Sequence, residues 1–208
     1  MKNINITVID SGMGNLWSVS SALHYLGCNV LTSDDPEVIV KADTLLLPGV
    51  GSFRRAMSAL RKNGLDQAII EAVQGRGIKI LGICLGMQLM GISSSEDGHT
   101  LGLGLIPTRV DKFTANEVGA NKIPHIGFDL VKSKPESRLF KGLNNSSDFY
   151  FVHSYRLLPT DLCGITAICN YGTNFLAAYE QDNIFATQFH PEKSQTNGLI
   201  LLQNFLSQ

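Results

Sequence analysis

The sequence predicts an α/β fold: a mostly parallel central sheet flanked by helices, with antiparallel strands added in the C-terminal half. Three observations point there. Apolar runs at residues 4–9, 44–47 and 78–83 show little polar alternation, as strands buried on both faces do. Stretches with helical spacing lie between them. The second half instead holds many short strand candidates separated by polar turns, which suits antiparallel pairing.

Taken in order, the strand at 4–9 is broken by residues 10–15. A helix over 16–26 follows, because Leu16, Val19, Leu23 and Leu26 share one face. Gly27 ends it in the manner of a left-handed cap. A short strand at 30–32 precedes the run 44–47, which the turn at 48–51 closes. Helices are expected over 53–60 and 65–73. The strand at 78–83 then feeds a helix over 85–91. Further on, strands are expected at 108–113, 128–131, 149–155, 164–169, 175–180 and 184–189, and a helix over 198–206. No repeat, low-complexity tract or linker interrupts the chain, so residues 1–208 read as one domain.

Composition narrows the function classes. The 208 residues are 44% hydrophobic and 17% charged, ordinary for a soluble globular domain. Lys plus Arg (17) nearly balances Asp plus Glu (18), and no basic stripe argues for nucleic acid or an anionic membrane surface. The first apolar run is too short for a signal peptide, and no stretch suits a membrane span. The cysteines Cys28, Cys84, Cys163 and Cys169 lie far apart with no CxxC pair. A zinc site, a thioredoxin-type motif and a disulfide framework are therefore not expected. The reading is a reducing cytoplasm, in which one thiol is free to serve as a nucleophile.

That thiol is Cys84. Gly82-Ile83-Cys84-Leu85-Gly86 falls where a strand ends and a helix begins, the pattern of a nucleophile elbow with cysteine in place of serine. Flanking glycines leave room for a sharp turn that exposes the sulfur under backbone strain. Helix N-terminal amides, Leu85's first, favour a thiolate and offer a donor to a developing oxyanion.

The group leaving a tetrahedral intermediate must be protonated, which suits a histidine. Of the five, His24 on a surface helix and His99 in a glycine-rich loop are expected to be exposed. His190 stands out. It ends the strand at 184–189 and heads His190-Pro191-Glu192, where proline keeps the segment extended and places Glu192 on the same side as the ring. A carboxylate that fixes the imidazole tautomer completes a triad.

These motifs carry a family resemblance. Gly82 to Gln88 (GICLGMQ) with Phe189 to Gln195 (FHPEKSQ) resembles the class I, or triad, glutamine amidotransferases. Within them the chain is similar to the glutaminase subunits of imidazole glycerol phosphate synthases. The similarity runs nearly its whole length, through IDSGMGNLWSV, LPGVGSF, SSEDG, LGLGLIP, KIPHIGF and YFVHSY. The resemblance implies a class I amidotransferase-like fold without a metal or cofactor, Cys84 as nucleophile, His190 as acid–base and Glu192 as orienter. It implies a second oxyanion donor at Val50, through the Gly49–Val50 peptide. Gly51, Gln88, Glu96, His153, Ser154 and Tyr155 would hold L-glutamine. It also implies a heterodimer with a (β/α)8-barrel cyclase that receives the ammonia, with Pro124, Ile126, Phe128, Tyr150, Val152 and Lys193 near the interface.

One segment departs from that pattern. Where such subunits usually read Pro-His-Met-Gly-Trp-Asn, this chain has Pro124-His125-Ile126-Gly127-Phe128-Asp129. A paralogous glutaminase feeding ammonia to amidation of a cell-surface sugar is therefore the alternative. A scaffolding subunit predicts a broken triad, and a cysteine peptidase predicts an open peptide groove. Nothing in the sequence supports either.

Overall fold

The computed structural model describes residues 4–14 and 16–208. Asn15, in the expected break after the first strand, and residues 1–3 lie outside the described residues. The elements run β1 (Asn5–Ile9), α1 (Leu16–Tyr25), β2 (Asn29–Ser33), α2 (Pro36–Val40), β3 (Thr44–Gly49), α3 (Phe53–Lys62) and α4 (Leu65–Ile70). After α4 the chain continues through a π turn (Glu71–Gly75) into β4 (Lys79–Cys84) and α5 (Leu85–Leu89). Then come β5 (Ser93–Ser94), β6 (Thr100–Leu101), β7 (Val110–Lys112), α6 (Ala115–Val118), β8 (His125–Lys132), β9 (Ser146–His153) and β10 (Tyr155–Leu157). The chain ends with β11 (Ile165–Tyr171), β12 (Thr173–Gln181), β13 (Ile184–Thr187), a 3-10 turn (Pro191–Lys193) and α7 (Gln195–Leu206).

Nine strands form the main sheet in the order β2-β1-β3-β4-β13-β12-β11-β8-β9. From β2 to β13 every pairing is parallel, and from β13 to β9 every pairing is antiparallel. The parallel part is where the unbroken apolar runs lie. Alternate side chains of those runs enter different cores. Ile6, Val8 and Leu46 pack on the side of α1 and α7, whereas Ile9, Leu45 and Leu47 pack on the side of α3, α4 and α5. Helices thus cover both faces of the parallel strands, as crossover connections require.

Several sequence expectations shift. The strand expected at 149–155 breaks at Ser154, and its last part, β10, joins β7, β5 and β6 in a separate small sheet. The strand expected at 108–113 is β7, also in that small sheet. The helix expected over 85–91 ends at Leu89, because the chain must turn to bring Gly91 and Gly102 together. A Cβ on Gly102 would lie 2.2 Å from the Gly91 carbonyl oxygen. No helix of the described residues is long and apolar enough to cross a membrane.

Strand β8 reverses the usual alternation. His125 is 2% exposed, and Asp129 is only half-buried, while Ile126 (58%), Phe128 (46%) and Leu130 (54%) face outward. β9, next to it, is the outer strand of the sheet, and the segment after β13 fills its free side. His190 N–H donates to the Tyr150 carbonyl (2.9 Å), Tyr150 N–H donates to Ser194 Oγ (3.0 Å), and the Asn197 amide donates to the Asp148 carbonyl (3.1 Å).

Candidate active site

The carboxyl ends of β3, β4 and β13 lie side by side in register, Gly49 opposite Cys84 and Thr187 opposite Ile83. The chemistry-bearing residues follow from that edge. Cys84 sits at φ 55°, ψ −110°, a backbone region that only surrounding packing holds for a side-chain-bearing residue. The packing is visible at the two glycines. A Cβ on Gly86 would lie 1.7 Å from the Leu47 carbonyl oxygen of β3, and one on Gly82 would lie 2.9 Å from the Met87 amide nitrogen. Only glycine lets β3, β4 and α5 approach this closely.

The Cys84 sulfur lies 4.0 Å from the Val152 carbonyl oxygen and 3.7 Å from Gln188 Nε2, which points a donor at it. α5 is only five residues long, so the first amides of the helix, more than a macrodipole, are what it offers the sulfur.

His190 Nδ1 is 2.8 Å from Glu192 Oε1, and both side chains are buried. The extended geometry expected between them is absent. Pro191–Lys193 is a 3-10 turn, in which Ser194 Oγ donates to the His190 carbonyl (2.6 Å) and Lys193 N–H to the same oxygen (3.1 Å). Proline begins this turn, and the turn, not strand alternation, brings the carboxylate back to the ring. Burial, the largest influence on His190, works against its charge. The Cys84 sulfur and the Glu192 carboxylate overcome it and push its pKa up to about 10. The imidazole therefore holds a proton at neutral pH beside the sulfur.

Above Cys84 opens a cavity of about 390 Å³ lined by Val50, Gly51, Cys84, Leu85, Gln88, Glu96, Val152, His153, Ser154 and Tyr155. Both residues expected at an oxyanion hole and all six expected to bind substrate lie around it. His190 and Glu192 do not line it; they line a separate small cavity with Pro48, Gly49, Val50 and Ile83. The Gly49–Val50 peptide runs against Leu85, where a Cβ on Gly49 would come within 3.1 Å of the leucine Cβ.

The walls are hydrogen-bonded from behind. Gln88 Nε2 donates to the Tyr155 carbonyl (2.8 Å) and to Gln188 Oε1 (3.0 Å). Glu96 accepts from the Phe53 amide at the start of α3 (2.8 Å), and burial raises its pKa. His153 Nδ1 lies 2.8 Å from the Tyr155 carbonyl, and burial lowers the pKa of this ring to about 3.

Two residues here escaped the sequence reading. Gln188 is fully buried and bridges Gln88 to Cys84. Its signal was a lone amide within the apolar run 184–189. His125 lies behind His153, its Nδ1 3.1 Å from His153 Nε2. Its signal was the reversed alternation of β8. His24 and His99 are exposed.

The residues expected at an interface group on one side. Pro124, Ile126 and Phe128 are exposed, the Phe128 ring packs edge-on to Tyr150 at 5.5 Å, and the Lys193 ammonium lies 5.9 Å from the Tyr150 ring centre. Val152 pairs with Ile126 across the same strands.

A strained cysteine at a strand–helix elbow, a buried His–Glu pair and a cavity that opens at the sulfur are the parts a cysteine-dependent amidohydrolase site needs. The family model for class-I glutamine amidotransferases matches residues 7–208, and the chain belongs to that family. It is 45% identical over 204 residues to the imidazole glycerol phosphate synthase subunit HisH 1 of Parasynechococcus marenigrum, covering 97% of each chain. It is 44% identical to the HisH subunit of Syntrophotalea carbinolica, covering 96% of this chain and 98% of that one. Among solved structures, a chain of PurLQS from Thermotoga maritima superposes with TM-score 0.75 at 16% identity, over 99% of this chain and 98% of that one, a likeness of fold.

Proposed function

We propose that this chain is the glutaminase subunit of an imidazole glycerol phosphate synthase in histidine biosynthesis, hydrolysing L-glutamine to glutamate and ammonia. The observation that carries the reading is Cys84 in the lining of a cavity with Gln88, Glu96 and Tyr155, together with the buried His190–Glu192 pair. The Cys84 sulfur attacks the carboxamide carbon of glutamine. Amide hydrogens of Leu85 and Val50 receive the developing oxyanion. The carbon–nitrogen bond breaks as His190 gives its proton to the departing ammonia, leaving a thioester. Water activated by the now neutral His190 cleaves that thioester to glutamate and the free thiol. Glu192 orients the ring throughout. Gly51, Gln88, Glu96, His153, Ser154 and Tyr155 hold the substrate.

The whole chain, residues 1–208, forms a single domain, and it works in the cytoplasm. Its partner is a (β/α)8-barrel cyclase docked over Pro124, Ile126, Phe128, Tyr150 and Lys193, which receives ammonia before water protonates it. The similarity to HisH subunits supports this partner. The test is glutamate release by this chain alone and with the histidine-pathway cyclase of its organism plus that cyclase's nucleotide substrate. Strong stimulation is expected. Its absence with both proteins folded would overturn the pathway and leave sugar amidation, the reading that Phe128 and Asp129 favour.

A further inference from the structure

The cavity wall carries a hydrogen-bond relay whose direction is fixed at one end by a backbone carbonyl. The Tyr155 carbonyl oxygen can only accept, so the Gln88 side chain turns its NH2 toward it, at 2.8 Å. The second hydrogen of that NH2 goes to Gln188 Oε1, at 3.0 Å. With its oxygen so engaged, Gln188 presents its own NH2 to the Cys84 sulfur, 3.7 Å away. Turning either amide over would set two oxygens or two NH2 groups face to face.

Gln188 has little room to move. It is fully buried just after β13, and its backbone N–H donates to the Ala177 carbonyl of β12 at 2.8 Å. Among the described residues, its side chain is the only group that donates a hydrogen bond to the sulfur. His190 Nε2 is buried and closes no hydrogen bond. The hydrogen of a neutral thiol would find only the Val152 carbonyl, at 4.0 Å. A sulfur with a donor aimed at it and no close acceptor is better accommodated as an anion.

The titratable groups that face the sulfur are the His190–Glu192 pair, His153 from β9, and Glu96 and Tyr155 across the cavity. None of them replaces the amide. His190 brings charge, Glu192 is engaged with the His190 ring, and burial lowers His153 to about 3, so that ring stays neutral. We propose that Gln188 is a further catalytic residue of glutamine hydrolysis: its amide, aimed by Gln88, donates to the Cys84 sulfur and holds it as the thiolate that attacks the carboxamide. Because the amide satisfies the sulfur, the His190 proton stays available for the departing ammonia.

The inference rests on reading Cys84 as the nucleophile, and the experiment keeps the two separable. In the full chain, alkylation of Cys84 by iodoacetamide is followed from about pH 4 to 10. Mass spectrometry of the peptide that carries Cys84 is the readout, because Cys163 is exposed and competes for the reagent. Gln188→Met removes the donor and keeps most of the volume. Gln88→Met leaves Gln188 in place without the hydrogen that aims it. The pH midpoint of alkylation is expected to rise by about one unit in Gln188→Met, the worth of one hydrogen bond to a charged group. A smaller rise is expected in Gln88→Met.

Glutamine affinity is measured by calorimetry in a Cys84→Ala background. It is expected to change by less than about twofold on Gln188→Met, since Gln88 keeps the Tyr155 carbonyl. A role confined to holding Gln88 in the wall predicts the reverse, weaker binding with an unmoved midpoint. An unmoved midpoint in Gln188→Met overturns the proposal; if that chain does not fold, an unmoved midpoint in Gln88→Met does so. If the unsubstituted chain forms no thioester with glutamine, the reading of Cys84 fails, and the alkylation midpoints still decide what Gln188 does to the sulfur.

Discussion

Replacing Gly86 by alanine tests whether the elbow is held by backbone packing or by its own turn. The added Cβ would lie 1.7 Å from the Leu47 carbonyl oxygen, whereas ordinary contact begins near 3.4 Å. Leu47 is in β3, paired with Gly82 of β4, so the oxygen cannot retreat without parting the two strands that carry Cys84. Overpacking a core by one methyl costs about 1–3 kcal/mol when side chains yield. Here backbone must move, so the expected cost is at or above about 3 kcal/mol. Gly27→Ala is the control. It has a positive φ of 82° but nothing within 4 Å of the new methyl, so strain alone applies, about 1 kcal/mol. Urea unfolding followed by far-ultraviolet circular dichroism measures both, because Trp17, the single tryptophan, is 78% exposed and a poor reporter. Thioester formation with glutamine reads the elbow itself. A Gly86→Ala chain as stable as Gly27→Ala and still forming the thioester would refute the argument.

Cys84→Ala is expected to abolish glutamine hydrolysis while leaving synthesis from added ammonium intact in the complex; surviving glutamine-dependent turnover would overturn the mechanism. Glu192→Gln removes one of the two groups that hold the His190 proton, so the alkaline limb of the kcat/KM profile should move toward neutral pH. Its kcat should fall by about 10²- to 10⁴-fold, and an unmoved limb would argue against the pair. Acid should weaken the fold through His125 and His153, whose folded pKa values lie below that of an unfolded histidine. Their contribution is fully present above about pH 6.5 and is lost as pH falls toward 4, by up to about 1.4 kcal/mol per pH unit for each ring. Urea midpoints that stay level from pH 7 to 5 would contradict this.

The parts of the molecule legible in sequence are those whose pattern is set by local sterics or by burial on both faces. The runs 44–47 and 78–83 could only be interior strands, and the glycines two positions either side of Cys84 announced a close approach that the Leu47 carbonyl explains. Less legible were elements fixed by distant partners. β5 and β6 are two residues each and exist only because β7 and β10 complete their sheet. The sequence His190-Pro191-Glu192 suggested that the two side chains meet, which they do, but through an extended segment where the chain has a turn locked by Ser194, four residues on. His125 and Gln188 went unread because a single polar residue in an apolar run does not reveal which buried group it will meet.

The segment from His190 to Asn197 supplies the imidazole and carboxylate behind Cys84 and also occupies the free hydrogen-bonding row of β9. An uncovered outer strand is a template for pairing with another chain. The residues that hold the His190–Glu192 turn therefore also block pairing at this edge of the sheet. One side chain, Ser194, serves both ends: its Oγ donates to the His190 carbonyl and accepts from the Tyr150 amide of β9. Ser194→Ala should accordingly raise light scattering on storage as well as slow hydrolysis, and such lesions would reach a cell as lost protein before they registered as lost chemistry.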